Sequence, residues 1–285
     1  MRLKIEHRST LHFETPVSEQ NCELRLKPRE IEYQKLLNHR LEIEPRAEVY
    51  EYRDAYGNQV QSFGIIQPHQ KLEIRFSAEV ENYLENPFDF ISPAPAEEQA
   101  HLKGLLRADP LLFDFALSRS EQVPDLTATG LAPARPAFDP TKNLLPQIQE
   151  AMSWIRDTLK YLPESTDVHH PLAEVLERGS GVCQDFSHLL IAVLRGWGVP
   201  ARYVMGYQYL FEESRPAATH AWTEVLFPNV GWRGFDATTG LLADASYLPV
   251  AVGRDSRDAA PLRGSYKGGA EGLPPEVYLQ VASAQ

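Results

Sequence analysis

Across its first eighty residues the chain alternates apolar and polar side chains with a period of two. In "RLKIEH", Leu3 and Ile5 share one face while Arg2, Lys4 and Glu6 share the other. "CELRLK", "RLEIEP" and "KLEIRFSAEV" repeat the pattern, the last setting Leu72, Ile74 and Phe76 against Glu73 and Arg75. Successive side chains of a strand point to opposite faces, so this alternation demands strands with one wet face and one buried face. Several such strands in succession predict antiparallel sheets, in a sandwich or an open barrel. "YGNQ", starting at Tyr56, supplies turn chemistry for a hairpin between two of them. Cys22 falls on the inward face with Leu24 and Leu26 and reads as a small buried hydrophobe.

From Asn86 the texture changes. "NPFDFISPAPAEEQ" is proline-rich and reads as a linker. Short helices are expected around "QAHLKGLL" and "PLLFDFAL", then a loop through "GLAPARPAFDP". A stripe of Leu145, Ile148, Met152, Ile155 and Leu159 predicts a core-facing helix from about Leu144 to Leu162, with Trp154 and Tyr161 as packing residues. "PLAEVLERG" predicts another short helix. The expected division is an N-terminal β domain over 1–85, a linker with short helices over 86–143, and a core with a C-terminal tail over 144–285.

Charge narrows the partners. A formal net charge of −11 without any basic block argues against a nucleic acid, because phosphate contacts need clustered Lys and Arg. Apolar runs such as "HLLIAVL" are too short to span a bilayer, so no membrane association is expected, and the first residues lack a basic-then-apolar leader. The 2 cysteines can neither build a disulfide framework nor form a metal site at their spacing, which fits a reducing cytoplasm.

One of those cysteines sits in "GSGVCQDFSHLL". Phe186, Leu190, Val193 and Leu194 recur at helical spacing after Cys183, and Arg195, Gly196, Gly198 and Pro200 give a basic last turn and a stop. With Ser180 as N-cap, Cys183 falls in the first turn, where unpaired N–H groups and the positive end of the helix dipole favour a thiolate. The same N–H groups can receive the oxyanion of a tetrahedral intermediate. The plainer reading is a structural thiol capping an apolar stripe. A nucleophile needs a base, and the base needs an orienting partner.

"THAWTEVLFPNVGWRGFDATTG" supplies both. "HAWTEVLF" alternates as a strand, "PNVG" has turn chemistry, and "WRGFDAT" returns. Folding this hairpin about Pro228 and Asn229 brings His220 nearly opposite Asp236, within reach of a carboxylate–imidazole hydrogen bond.

These two stretches, "GSGVCQDFSHLLIAVLRGWGVPARYVMGY" and "HAWTEVLFPNVGWRGFDATTG", closely resemble the transglutaminase-like superfamily of papain-like cysteine enzymes, in particular its bacterial branch. "LRLKPRE" and "EYRDAYGNQV" resemble that branch's N-terminal β domain, and "VAVGRDSRDAAPLRGSYKGG" its tail. The resemblance implies an α+β fold: an N-terminal antiparallel β-sandwich-like domain, then a papain-like core whose cysteine helix packs on an antiparallel sheet. It implies Cys183 as nucleophile, His220 as general base and then acid, and Asp236 as orienter, acting on a peptide or protein substrate with no cofactor and no metal. Hydrolysis of peptide or isopeptide amides through a thioester is the first expectation. Acyl transfer to an amine and a non-catalytic binding module are the alternatives. Ala237 and Thr239 stand where the family has Pro and Asn, and Ser187 where Ala is usual.

The neighbouring polar residues have simpler expectations. Asp185 suits a first helical turn by charge, or orients the loop before Cys183. His188 is a packing residue on another helix face. His169 and His170 lie in a solvated loop. Arg254, Asp255, Asp258 and Arg263 either border the cleft or hold the tail down by ion pairs. Trp222 and Trp232 are cleft wall or core.

Overall fold

The alternation at the N-terminus becomes one long strand, β1 (Arg2–Leu24), whose two halves belong to two different sheets. Residues 1–162, 170–210, 219–268 and 275–284 are described by the computed structural model. Further strands of the N-terminal region are β2 (Gln34–Glu44), β3 (Val49–Arg53), β4 (Gln59–Ile65) and β5 (His69–Asn82). Arg2 to His12 of β1 pair antiparallel with β5, which pairs in turn with β2. The register shifts between His12 and Val17, and from Gln20 onward β1 pairs with β4, with β3 beyond it. The inward sides of both halves, with Leu3, Ile5, Leu72, Ile74 and Phe76 in one and Cys22, Leu24, Phe63 and Ile65 in the other, are buried as the alternation requires. The β3–β4 hairpin turns through 54–58, with Gly57 at φ 74°, a left-handed conformation that suits glycine.

The middle of the chain is helical: α1 (Pro95–Ala108), α2 (Leu111–Leu117), α3 (Leu144–Thr158) and, after the two-residue β6 (Lys160–Tyr161), α4 (Leu172–Arg178). The helix expected to reach Leu162 ends four residues earlier. Leu159 is already extended, and Lys160–Tyr161 pairs in parallel with β7 (Ser180–Gly181), so the ladder replaces the helical bonds at this end. Then come α5 (Cys183–Gly196), β8 (Ala201–Gln208), β9 (His220–Phe227), β10 (Gly231–Asp236), β11 (Leu241–Leu242) and β12 (Tyr247–Gly253). The sheet order is β11-β10-β9-β8-β12, with neighbours antiparallel. α5 is almost wholly buried against β8 and β9, so the fold is α+β with the cysteine helix on an antiparallel sheet.

The tail returns to the beginning. β13 (Leu262–Lys267) and β14 (Glu276–Ser283) both pair antiparallel with β1, on its second and first halves respectively. The alternation of β13 and β14 is weak, and nothing local in them points to a partner some 250 residues away.

The two sheet systems are joined at the edge of β12. Asn58 donates to Val252 O at 2.7 Å and accepts from Val252 N–H at 2.8 Å, mimicking a strand neighbour. Gln34 donates to Pro249 O and Asn82 to Tyr247 O, and all three amides are buried. An open edge strand is a template for unwanted pairing, and these amides close it.

Two histidines are sealed in uncharged. His188 accepts a hydrogen bond at Nε2 from Ser256 N–H at 3.1 Å, and burial holds its pKa down to about 3 despite the opposing charge of Asp255. Burial likewise holds His7 down to about 4. An unfolded chain takes up these protons near pH 6.5, so stability present above that pH is lost as the pH falls toward 4. Each group costs about 2 kcal/mol between pH 6.5 and 5, or roughly 5 °C of melting temperature. Thermal melts of His188→Gln, which keeps an acceptor for Ser256, are expected to show a flatter acid limb than wild type. An unchanged limb contradicts the assignment.

Candidate active site

The first turn of α5 is prepared by the loop before it. Val182, extended at φ −110° and ψ 178°, is the N-cap, and Asp185 Oδ2 accepts from Val182 N–H at 2.9 Å. Ser180, expected as the cap, lies two residues earlier in β7, because pairing with Lys160 holds it in a strand. Asp185 therefore both satisfies the helix start and fixes the loop. A side chain on Gly181 would sit 2.6 Å from the Asp185 carboxylate, so only glycine permits this approach. Ser187, unusual at its position, donates to Cys183 O at 2.8 Å.

Cys183 is half-buried at this helix start, and its side chain neighbours the His220 imidazole. The other side of the imidazole faces Asp236, with Nε2 2.8 Å from Oδ2. Asp236 has no exposed surface. It also accepts from Tyr247 Oη at 2.9 Å and from Thr238 N–H at 2.9 Å, so both carboxylate oxygens are occupied. Burial alone would push the Asp236 pKa up, but these bonds and the His220 charge hold it below the ordinary value. Burial would likewise depress His220, yet its bonds to Asp236 and Cys183 and the charges of both raise it to about 10. The imidazole is thus held as imidazolium at neutral pH, with Nε2 committed to Asp236 and Nδ1 left for Cys183.

The structure thus brings together the three residues singled out in the sequence, by a slightly different route. The β9–β10 register sets Phe235 against Thr223, which places Trp222 opposite Asp236 and His220 two residues further on. The His220–Asp236 contact is diagonal across the ribbon rather than directly opposed, because Phe227 pairs with Gly231 and the turn holds three residues, one more than the expected fold about Pro228 and Asn229. Diagonal neighbours on one face remain within reach of long side chains.

Trp222 fills the space this offset creates. Its ring stacks on His220 at 6.2 Å and meets Tyr247 edge-on at 5.3 Å. It is core rather than exposed wall. A Cβ on Gly206 would stand 2.5 Å from Trp222 Cη2 and 2.3 Å from Leu248 O, and one on Gly234 3.1 Å from the same indole. Two glycines on neighbouring strands therefore let the indole lie flat beneath the imidazole. Gly206→Ala is expected to cost about 1–3 kcal/mol by overpacking and to lower activity by displacing Trp222. Tryptophan fluorescence and denaturant melts check both; a variant indistinguishable from wild type contradicts the packing argument.

The other candidates lie elsewhere. Trp232 packs under Arg202, whose guanidinium sits 4.0 Å from its ring centre and pairs with buried Glu224. Arg254 and Asp258 form an ion pair at 2.8 Å beside Arg195, at the far end of α5 from Cys183, so they hold the tail down. Asp255 accepts from Arg257 N–H, and Arg263 lies on β13 opposite Glu23. His188 is the packing residue expected. His170 meets Glu174 at 2.9 Å, and His169 lies outside the described residues. Among the described residues no group of three or more His, Cys, Asp and Glu could hold a metal ion, and no helix is long and apolar enough to cross a membrane. Tyr247 went unnoticed in the sequence. The apolar run "YLPVAVG" fits a buried strand but does not tell which carboxylate the Tyr247 hydroxyl would meet.

Comparison with known proteins agrees with this architecture. Residues 134–237 match the transglutaminase-like superfamily, and residues 3–81 match the bacterial transglutaminase-like N-terminal region. An uncharacterized protein of Mycobacterium leprae is 32% identical over 275 residues, covering 94% of both chains. Another, from Mycobacterium tuberculosis, is 32% identical over 290 residues, covering 92% of this chain and 87% of the relative. The solved structure of a candidate cysteine protease from Cytophaga hutchinsonii superposes with a TM-score of 0.76 at 23% identity, covering 100% of this chain and 92% of that one, which shows the fold. The chain belongs to the transglutaminase-like superfamily, with the bacterial N-terminal β region in front of the core.

Proposed function

We propose that the protein is a cysteine hydrolase of peptide or isopeptide amide bonds, working through a thioester with Cys183, His220 and Asp236. The observation that carries this reading is Cys183 at the start of α5 beside a His220 whose Nε2 lies 2.8 Å from a fully buried Asp236. A thiol packed only for structure has no use for an imidazolium held in place by a buried carboxylate.

Cys183 Sγ, as thiolate, attacks the amide carbonyl carbon, and the carbonyl electron pair moves to oxygen. The backbone N–H of Cys183, in the first helical turn, stabilises that oxyanion. The tetrahedral intermediate collapses, the C–N bond breaks, and the His220 Nδ1 proton goes to the departing nitrogen. Asp236 keeps the ring oriented throughout. Neutral His220 then takes a proton from water, the hydroxide adds to the thioester, and the thiolate leaves with release of the acid. Water is always present, which favours hydrolysis. An amine in its place gives transglutamination, the second reading. A reducing cytoplasm suits the free thiol.

The test is a mass-spectrometric screen of peptide amides with and without a primary amine, using Cys183→Ser as control. Hydrolysis lost in the variant supports the proposal. Dominant amine incorporation at modest amine concentration replaces it with acyl transfer, and no turnover of either kind favours a binding module.

A further inference from the structure

Between the N-terminal sheets and the core lies a cavity of about 70 Å3, lined mainly by apolar atoms. Its floor is Leu24 at the end of β1 and Leu26 just after it, with Ser9 beside them, and its mouth is Thr219, Leu262 and Val277. The floor residues are fully buried, whereas Val277 is 51% exposed, so the cavity has an open side.

Register places this cavity in front of Cys183. On the face of the core sheet covered by α5, Thr223 donates to Ser187 O, His188 stacks on Tyr203, and Arg195 reaches Ala201 O. The helix therefore runs alongside β9, and Cys183, four residues before Ser187, stands about 6 Å back, level with Ala221. The next inward position on β9 is Thr219, one pleat further at about 7 Å, which is the cavity mouth. Tyr207 lies at the same level on β8, and its hydroxyl bonds Leu26 O and faces His7 Nδ1 at 3.3 Å in the cavity wall. His7 Nε2 is 2.8 Å from Ser9 Oγ, so the polar atoms of this wall are already engaged.

We propose that this cavity is the subsite for a small aliphatic side chain flanking the attacked carbonyl, so that the N-terminal β region selects the substrate. This rests on the cysteine-hydrolase reading above. An engineered cavity of about 150 Å3 holds benzene, so 70 Å3 takes a group of roughly three or four carbons, the side chain of valine or leucine. A charged group is disfavoured, since among the described residues no ionised partner lines the cavity and an unpaired charge there is costly.

Alkylation of Cys183 tests this with N-isobutyl iodoacetamide, iodoacetamide and N-(2-aminoethyl) iodoacetamide, each rate divided by that with glutathione. In each case Sγ displaces iodide and places the substituent one pleat away. A fitted apolar group is worth about 10–200-fold in such pockets, so the isobutyl reagent is expected to react at least tenfold faster than iodoacetamide, and the amino reagent no faster. Val277→Phe and Leu262→Phe, at the mouth, are each expected to abolish the preference, bringing the normalised isobutyl rate down to that of iodoacetamide. Equal normalised rates in wild type, or a preference that survives both substitutions, overturns the proposal. His220→Ala separates it from the parent reading: there all three rates fall together and the isobutyl ratio persists. If His220→Ala changes no rate while the isobutyl preference remains, the hydrolase reading fails and the pocket stands.

Discussion

Replacing His220 with alanine is expected to lower amide turnover by about 10⁴-fold while slowing iodoacetamide alkylation of Cys183 at pH 6 only about tenfold. The two numbers separate the two tasks of one ring. As general acid His220 protonates the leaving nitrogen, a contribution of about 10²–10⁴. As imidazolium it also stabilises the thiolate, which has no counterpart in the variant. For alkylation only the second task matters. A thiolate paired with a cation is favoured but is a weaker nucleophile, so losing the pair costs alkylation about tenfold, far less than losing the proton donor costs turnover. Peptide mass spectrometry reads both cysteines at once, and Cys22, whose thiol is pushed up to about 11 by burial, is the internal reference. Equal losses in the two assays remove the general-acid role.

The same variant carries a stability signature. His220 in the fold sits above its unfolded value of about 6.5, so its contribution is fully present below that pH and is lost as the pH rises through about 10. The melting temperature deficit of His220→Ala is therefore largest at pH 6 and closes toward pH 10.

Arg195→Met is expected to destabilise the protein by about 3–5 kcal/mol, lowering the melting temperature by about 10 °C. Arg195 is 2% exposed, and among the described residues no carboxylate is hydrogen-bonded to it. Its Nε donates to Phe115 O and Ala201 O, Nη1 to Ser118 O, and Nη2 to Ala201 O and Arg254 O. One guanidinium thus ties the end of α2, the start of β8 and the tail to the last turn of α5. Burial, with the charge of Arg119, lowers its pKa to about 9, so it remains charged at neutral pH. Methionine matches the volume but leaves four carbonyls, those of Phe115 and Ala201 in buried bonds, without that donor. Arg195→Lys recovers less than half of the loss, because a point charge cannot span the same fork. Chemical denaturation of the three proteins checks this, and a methionine variant within 1 kcal/mol of wild type, on the order of a single weak hydrogen bond, refutes it.

Sequence patterns exposed what is local. Period-two alternation marked β1, β2 and β5, because one wet face per strand leaves its trace residue by residue. The helix of Cys183 and the ribbon of His220 and Asp236 were legible for the same reason. Long-range placement was not. Ser180 reads as a cap until its pairing with Lys160 is seen. Arg195 reads as a basic last turn, since nothing near it in sequence tells of Phe115 or Arg254. Tyr247 and Asn82 are ordinary strand-end residues in sequence, yet together they connect the N-terminal sheet to the Asp236 carboxylate.

β1 lies between strands from opposite ends of the chain: Leu3 pairs with Val80 on one side and with Ser283 on the other. During synthesis on a ribosome, the first sheet can gather β1, β2 and β5 early, but one edge of β1 stays bare until the residues of β14 emerge. Pairings this distant in sequence are slow to close, and an unpaired edge is a hazard while it lasts. The nascent chain is thus open to edge-to-edge association from the emergence of β1 until β14 follows it, and β14 is the strand that ends that exposure.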